Sequence, residues 1–253
     1  MMLHYYRMMV CAWLGLGLLF GCAAVPAARI DAYLGPDSAR IDDPRIAQSS
    51  VLPGSLLNAG LVVINDTTTP ESAPALSEGA LVTLTVQIRH RIGQTLPIDV
   101  TKTVPATDLR PGEDRGALIR LANRSDLRYL IIAVVSNVET SAPAMFEVVG
   151  GSTSARGTAV DVFALMELAL LDSETGQVLV RGHGRDRARL NHLNGQDGSN
   201  EYPVIVRSIG TKESPSAGST PRDALYLTAA SDALDQALIR FSEAWEARRA
   251  RGA

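Results

Sequence analysis

Blocks of hydrophobic and polar positions alternate along residues 61–248 and predict a succession of strands and helices. The short apolar run that opens "LVVIND" (61–66) predicts a buried strand. The run "YLIIAVV" (129–135) is continuously apolar, as is typical of a strand covered on both faces. Between them, "LPIDVTKTVP" predicts a strand that ends at Pro105, and "GEDRGALIRLANRS" predicts a helix with acidic residues in its first turn. A helix followed closely by a buried strand indicates an αβ unit.

Residues 76–94 fit two periodicities. Every second residue from Val82 to Ile88 is apolar, as in a strand, but apolar residues also recur three and four positions apart, as on one helix face. Ser77 as an N-cap and Gly93 near the C-terminal end favour a helix, whereas the β-branched content favours a strand. We expect a helix here, and the strand stays open as the alternative.

The C-terminal half predicts a long hairpin and a terminal helix. The segments "GTAVDVFALMELALL" and "GQVLVRGHGRDRARL" predict two strands joined by the turn formers of "DSETGQ". Residues 192–223 are rich in Gly, Ser, Asn and Pro and predict a mobile excursion, and the following segment predicts an amphipathic helix. The order is β-(α)-β-α-β-β-β-α, which indicates one α/β (α+β) domain with a mixed sheet over residues 61–248.

The N-terminus predicts export. Thirteen uncharged residues, Met8 to Phe20, follow the positive charge of Arg7. A membrane-spanning helix needs about 20 apolar residues, whereas the apolar region of a secretory signal takes about 7–15. Residues 1–21 are therefore interpreted as a signal peptide.

Leu19, Phe20, Gly21 and Cys22 resemble a bacterial lipobox, with Leu and a small residue at the expected places before the cysteine. The resemblance implies cleavage before Cys22 and attachment of acyl chains such as palmitate to it. An ordinary signal-peptidase site, for example after "GCA", is the alternative. Ala23 follows the cysteine, and by the rule for such lipoproteins this favours the outer membrane, with the domain facing the periplasm.

The cysteines agree with this interpretation. Cys11 and Cys22 are the two in the chain, and only Cys22 remains once the signal is removed. We therefore expect no internal disulfide and no cysteine metal site. Residues 22–60 mix Pro, Ala, Asp and Ser without a sustained period and predict a lipidated cysteine with a flexible tether, in which "DAYLGPD" is a short docking piece.

Net charge and composition limit the classes of molecule that the protein is expected to bind. The formal net charge of −3 and an aromatic content of 5% give no support to nucleic-acid binding. The partner that the sequence predicts is the membrane, through the anchor on Cys22. We expect no cofactor and no metal, because no metal-ligand spacing or phosphate-binding motif occurs.

Candidate chemistry is sparse. Asp161 and Glu167 share one face of a predicted strand, as an acid–base pair or as ordinary polar positions, and His183 and His192 have no ligand-like spacing. Four arginines at every second or fourth position share one strand face, and we call them the arginine face: Arg181, Arg185, Arg187 and Arg189. They are a candidate contact for anionic lipid headgroups or glycan, or a device that blunts edge-to-edge strand pairing.

A family likeness rests on the element order and on the segments "DAYL", "VPATDLRPG", "DLRYLIIAVVSNVE" and "LLDSETGQVLVRGHG". In these the chain resembles the rhombotarget lipoprotein group and, more distantly, the curli-secretion-channel lipoproteins, whose domain is similar to the anticodon-binding fold. These families do not share one activity. We expect a non-enzymatic envelope lipoprotein that binds or scaffolds an envelope protein or copies of itself. The alternatives are a subunit of a secretion or assembly complex, or an envelope hydrolase with an unrecognised site.

Overall fold

The computed structural model describes residues 25–35, 56–107, 109–113, 115–147, 154–193, 203–215 and 219–252. Within these ranges the chain forms four helices and seven strands. In chain order they are α1 (Asp31–Leu34), β1 (Leu57–Asp66), α2 (Glu78–Thr95), β2 (Ile98–Val104), α3 (Arg115–Arg124), β3 (Tyr129–Glu147), β4 (Ser154–Asp172), β5 (Gln177–Leu193), β6 (Val204–Arg207), β7 (Lys212–Glu213) and α4 (Pro221–Gly252).

The strands form one mixed sheet in the order β2-β1-β3-β4-β5-β6-β7. β1 is parallel to β2 and β3, and every later neighbour is antiparallel. The predicted α/β class is confirmed, and so is the β4–β5 hairpin, which turns between Asp172 and Gln177. Of the described helices, none combines the length and apolarity that crossing a membrane requires.

The larger core lies between the sheet and the pair of helices α2 and α4. α2 is a helix, as expected, and Ser77 caps it by accepting the N–H of Ala80 at 3.2 Å. Its buried residues recur every four positions and are Ala80, Leu84, Ile88 and Ile92. Val82 and Val86 lie outside this face and are exposed, and they are the residues that made the segment also look like a strand.

Two glycines bring α4 into direct contact with β5. A Cβ atom on Gly182 would lie 2.4 Å from the carbonyl oxygen of Ala237, and one on Gly184 would lie 2.0 Å from that of Ala233. The facing surface of α4 is built from small residues, so the helix backbone rests on the strand. This close approach explains the "RGHG" sequence in a strand whose interior would otherwise disfavour glycine.

The smaller core lies on the opposite face, between the sheet and the helices α1 and α3. It covers the ends of β1, β3 and β4 near the β4–β5 turn. Leu118 and Leu121 of α3 pack there with Leu130 and Ile132 of β3. Because both faces are covered, β3 is apolar without interruption from Leu130 to Val135.

The structure extends the ordered part of the chain beyond the expected boundaries. Residues 25–35, which the sequence placed in the flexible tether, lie against the smaller core, and β1 begins at Leu57 rather than at 61. The predicted mobile excursion contains β6 and β7, which extend the sheet. β6 pairs with residues 188–191 of β5 and buries Ile205, so residues 204–207 are ordered by a strand that precedes them in the chain.

Replacing Gly184→Ala tests the contact between α4 and β5. The new methyl group would overlap the α4 backbone, and we expect a loss of about 1–3 kcal/mol in the free energy of unfolding. The measurement is urea unfolding followed by circular dichroism. Gly79→Ala is the control, because no atom lies within 4 Å of its Cβ position. It should be neutral or stabilising by up to about 1 kcal/mol, and equal behaviour of the two variants would contradict this packing.

Candidate functional site

The candidate site is built around residues 25–35, which we call the docked segment. It has no strand partner in the sheet and instead lies across the sheet face that carries the smaller core. Ile30, Tyr33 and Leu34 are buried there. Burial raises the pKa of the Tyr33 hydroxyl to about 12, the negative charge of Asp66 adds to the increase, and Arg29 opposes it.

Glu167 fastens the start of this segment. Its side chain projects from β4 and is buried, and its Oε2 accepts the backbone N–H of Arg29 at 2.6 Å and that of Ile30 at 3.0 Å. Two N–H groups without a strand partner need an acceptor once they leave water, and this carboxylate supplies it. Burial raises the pKa of Glu167, and the two N–H bonds oppose that increase.

Asp66, at the end of β1, holds the Arg29 side chain. Arg29 Nε lies 2.7 Å from Asp66 Oδ2, and Arg29 Nη2 donates to Thr68 Oγ1 at 2.7 Å. Burial acts to raise the pKa of Asp66, but hydrogen bonds from Thr68 and Arg29 outweigh it and hold this pKa below its ordinary value. Asp66 is therefore ionised at neutral pH and pairs with Arg29 under the segment.

Three further contacts hold the second half of the docked segment. Arg181 Nη1 of β5 lies 2.8 Å from Asp31 Oδ1. The carbonyl oxygen of Ala32 accepts the N–H of Gly112 at 2.7 Å, and that of Leu34 accepts Arg115 Nε at 3.1 Å. The segment is thus attached to β1, β4, β5 and the start of α3.

The sequence indicated "DAYLGPD" as a docking piece but not the residues that hold it. Glu167 interrupts the apolar run "FALMELALL", and a lone acid in such a strand was the available signal. Its partners lie 137 and 138 positions away in the chain. No local pattern links residues at that separation.

The arginine face lies on the same side of the sheet as Glu167, because Glu167 pairs with His183 across β4 and β5, and Asp161 pairs with Arg189. Two of its arginines share one carboxylate. Arg187 donates from Nε and Nη2 to Asp161 Oδ1 at 3.0 and 2.8 Å, and Arg189 binds both carboxylate oxygens at 2.8 and 2.9 Å. Burial acts to raise the pKa of Asp161, but these two arginines outweigh it and lower that pKa.

The four predicted arginines therefore have different surroundings. Arg181 pairs with Asp31, and Arg187 also lies over the ring of Phe163, 5.3 Å from its centroid. Arg185 is exposed and has no hydrogen-bond or ion-pair partner among the described residues. Two arginines on one carboxylate, together with Arg185, leave this face with excess positive charge.

The same geometry separates the candidate acid–base pair. Asp161 and Glu167 lie six residues apart on β4, about 20 Å along an extended strand, which exceeds the roughly 5–9.5 Å of carboxylate pairs that work on one bond. Partial burial and the charges of Arg240 and Arg185 lower the pKa of His183. In the described part of the chain, no three His, Cys, Asp or Glu side chains cluster as metal ligands do.

A second cleft lies between α2, α4 and the β6–β7 hairpin and has a volume of about 350 Å³. Its charged groups bind one another. Arg207 pairs with Asp232 and with Glu213, and Glu213 also accepts the hydroxyl of Thr228 at 2.7 Å. Burial raises the pKa of Asp232, and Arg207 opposes the increase. The charged groups Arg207 and Glu213 that line this cleft are thus paired within the protein.

The lipobox residues Leu19, Phe20, Gly21 and Cys22 lie outside the described residues. Their position in the sequence is still informative. Val25, the first described residue, stands three positions after Cys22. Since an extended chain spans at most about 3.6 Å per residue, the two Cα atoms lie within about 11 Å of each other.

No protein-family model and no curated protein sequence matches this chain. Among solved structures it is similar to a neuraminyllactose-binding hemagglutinin homolog from Helicobacter pylori, with 8% identity, a TM-score of 0.36 and coverage of 79% of this chain and 91% of that one. It is also similar to a hypothetical protein from Chlamydia trachomatis, with 12% identity, a TM-score of 0.32 and coverage of 76% of this chain and 96% of that one. A third similar structure is a lipoprotein from Neisseria meningitidis, with 13% identity, a TM-score of 0.28 and coverage of 57% of this chain and 87% of that one.

At TM-scores this low, the three likenesses carry no argument about fold or function. None of the three is described as a rhombotarget lipoprotein or as a curli-secretion-channel relative. Membership of those groups therefore stays a prediction from sequence.

Glu167→Ala tests how the docked segment is held. It removes the acceptor of two backbone N–H groups, which costs about 1–3 kcal/mol for each group left buried and unpaired. We expect the segment to detach, so that the amides of Arg29 and Ile30 exchange rapidly with deuterium. Glu167→Gln keeps an acceptor oxygen and is the matched control, with slow exchange. Slow exchange in both variants would show that Glu167 does not hold the segment.

The same residue predicts a pH dependence. Because the pKa of Glu167 is raised on folding, the folded state binds more protons than the unfolded state, and this group's contribution to stability grows as the pH falls. The gain develops between the raised pKa and the ordinary value of 4.5. The wild type should gain stability relative to Glu167→Gln as the pH falls through this window, measured by urea unfolding at several pH values. A constant difference would contradict the raised pKa.

Proposed function

We propose that this chain is a lipoprotein of the bacterial envelope, anchored through acyl chains on Cys22 to the periplasmic side of the outer membrane. Its α/β domain binds or positions another envelope component and performs no catalysis. The likeness to rhombotarget lipoproteins belongs to this proposal. The docked segment is the observation that carries it, because that segment joins the proposed anchor to the domain.

The docked segment makes the connection to the membrane short. It begins three positions after Cys22 and is fixed to the sheet by Glu167 and Asp66. Residues 36–55 follow it, so they do not separate the anchor from the domain. The three-residue connection keeps the start of the docked segment within about 11 Å of Cys22, so acyl chains on Cys22 would hold that start close to the membrane. Such a short connection would favour one orientation of the domain at the bilayer.

The arginine face supports the same orientation. It lies on the sheet face that carries the docked segment and has more positive than negative charge. Guanidinium groups suit phosphate and carboxylate groups because their donors form a fixed fork. The half-exposed Arg187 and Arg189 and the exposed Arg185 are therefore placed to contact anionic headgroups or glycan near the anchor.

The non-enzymatic part of the proposal rests on what the candidate catalytic residues contact. Asp161 is bound by two arginines, and Glu167 accepts two backbone N–H groups. Each carboxylate thus has a structural partner. Their separation along β4 also keeps them from acting on one bond.

Cys22→Ser tests the anchor. We expect the wild type in the outer-membrane fraction, labelled by radioactive palmitate, and the variant in the soluble fraction without label, because one serine hydroxyl cannot carry the thioether-linked lipid. Cys11→Ser is the matched control, since it removes the other cysteine within the predicted signal, and it should behave as the wild type. A Cys22→Ser chain that stays in the membrane would show that another feature holds the protein there.

A further inference from the structure

One edge of the sheet is open in the described part of the chain. β2 is the terminal strand of the order, and among the described residues only β1 pairs with it. Beside this edge, α2 exposes Val82 and Val86, whose residues are 58% and 62% accessible. An open groove of about 470 Å³ lies between α2 and β2 and is lined in part by Val86, Ile98 and Val100. Unpaired backbone groups next to exposed valines make a surface that another strand can join.

The charges of β2 are arranged on one face. The sequence of the strand is Ile98-Asp-Val-Thr-Lys-Thr-Val104. Ile98 and Val100 point to the larger core, so Asp99 between them points to the opposite face. Thr101 is an extra residue in the register, because Ala59 pairs with Val100 and Gly60 with Lys102.

The bulge places Lys102 on the same face as Asp99. Val104 belongs to the smaller core, and Lys102 lies two positions before it. Gly60, the partner of Lys102, agrees with this, because a Cβ atom on it would meet Leu127 and Leu130 of the smaller core. Asp99 and Lys102 are both exposed. The edge strand thus carries one acid and one base, three residues apart, on one face.

We propose that β2 pairs with β2 of a second copy of this chain in an antiparallel arrangement. With the two-fold axis between Val100 and Thr101, Asp99 of each copy lies opposite Lys102 of the other. The pattern is therefore complementary to itself, and opposite charges on directly facing residues stabilise a strand pair. Two-fold symmetry forms both ion pairs at once.

The surroundings of β2 fit a second copy. The same axis brings the two α2 helices side by side, where Val82 and Val86 of each copy become covered. Lysine on an edge strand disfavours pairing with unrelated strands. Here Lys102 is matched only by a strand that carries an acid at the corresponding place, as β2 itself does, so the edge selects its own copy.

Charge reversal tests the proposal on the full-length chain purified in detergent. Wild type should form a concentration-dependent dimer in analytical ultracentrifugation. Asp99→Lys places lysines opposite lysines, and Lys102→Asp places acids opposite acids, so each should weaken the dimer about tenfold or more. Both positions are exposed, so each variant should keep the wild-type circular dichroism spectrum.

Mixing the two variants gives the decisive result. Asp99→Lys and Lys102→Asp chains face each other with opposite charges at both positions, so the mixture should form heterodimers that neither variant forms alone. Lys212→Asp is the matched control, because Lys212 lies on β7 at the other edge of the sheet, and it should dimerise as the wild type does. A monomeric wild type at all concentrations, or a mixture that stays monomeric, would overturn the proposal. The readout does not depend on where the anchor is attached, so it fails separately from the proposed function.

Discussion

The start of the docked segment is held to the sheet by one carboxylate oxygen, Oε2 of Glu167, which accepts two of its backbone N–H groups. The central strands β3 and β4 need cover on both faces, and on one face the docked segment supplies part of it. The N–H groups from Ala32 to Gly35 are satisfied within the segment, but those of Arg29 and Ile30 need an acceptor elsewhere. A buried carboxylate is costly without partners, and the two N–H groups of Arg29 and Ile30 are the partners that Glu167 needs. The carboxylate of Glu167 and the N–H groups of Arg29 and Ile30 thus offset each other's desolvation on burial.

This interaction changes the role of the chain between the proposed lipidation site and the domain. A flexible tether over residues 22–60 would let the domain move freely, whereas the docked segment attaches the chain to the sheet soon after the proposed lipidation site. The arginine face lies on the same face of the sheet as this attached segment. Arg187 and Arg189 hold Asp161 within the sheet and still leave positive charge on the face that carries the docked segment. Internal pairing and a surface role are thus compatible for these arginines.

The sequence was informative where structure depends on neighbours in the chain. The β4–β5 hairpin followed from its turn residues, and the buried strand β3 from its unbroken apolar run. α2 was ambiguous because Val82 and Val86 are exposed, so its hydrophobic residues do not all face the core. β6 and β7 were missed because they are only four and two residues long and lie within a segment rich in Gly, Ser, Asn and Pro, and β6 is ordered by pairing with β5. The roles of Glu167 and Asp66 in holding the docked segment were missed because the residues they bind are distant in sequence.

The open edge and the docked segment are related through symmetry. Antiparallel pairing of two identical edge strands in one continuous sheet requires a two-fold axis perpendicular to the sheet. Such an axis keeps the same face of both copies on the same side, so both docked segments and both arginine faces point in one direction. A rotation axis lying in the sheet would put them on opposite sides, and the charges of Asp99 and Lys102 would no longer face each other. The charge pattern of β2 therefore favours, for the proposed dimer, the arrangement in which both docked segments face one way, as attachment of two copies to one membrane would require.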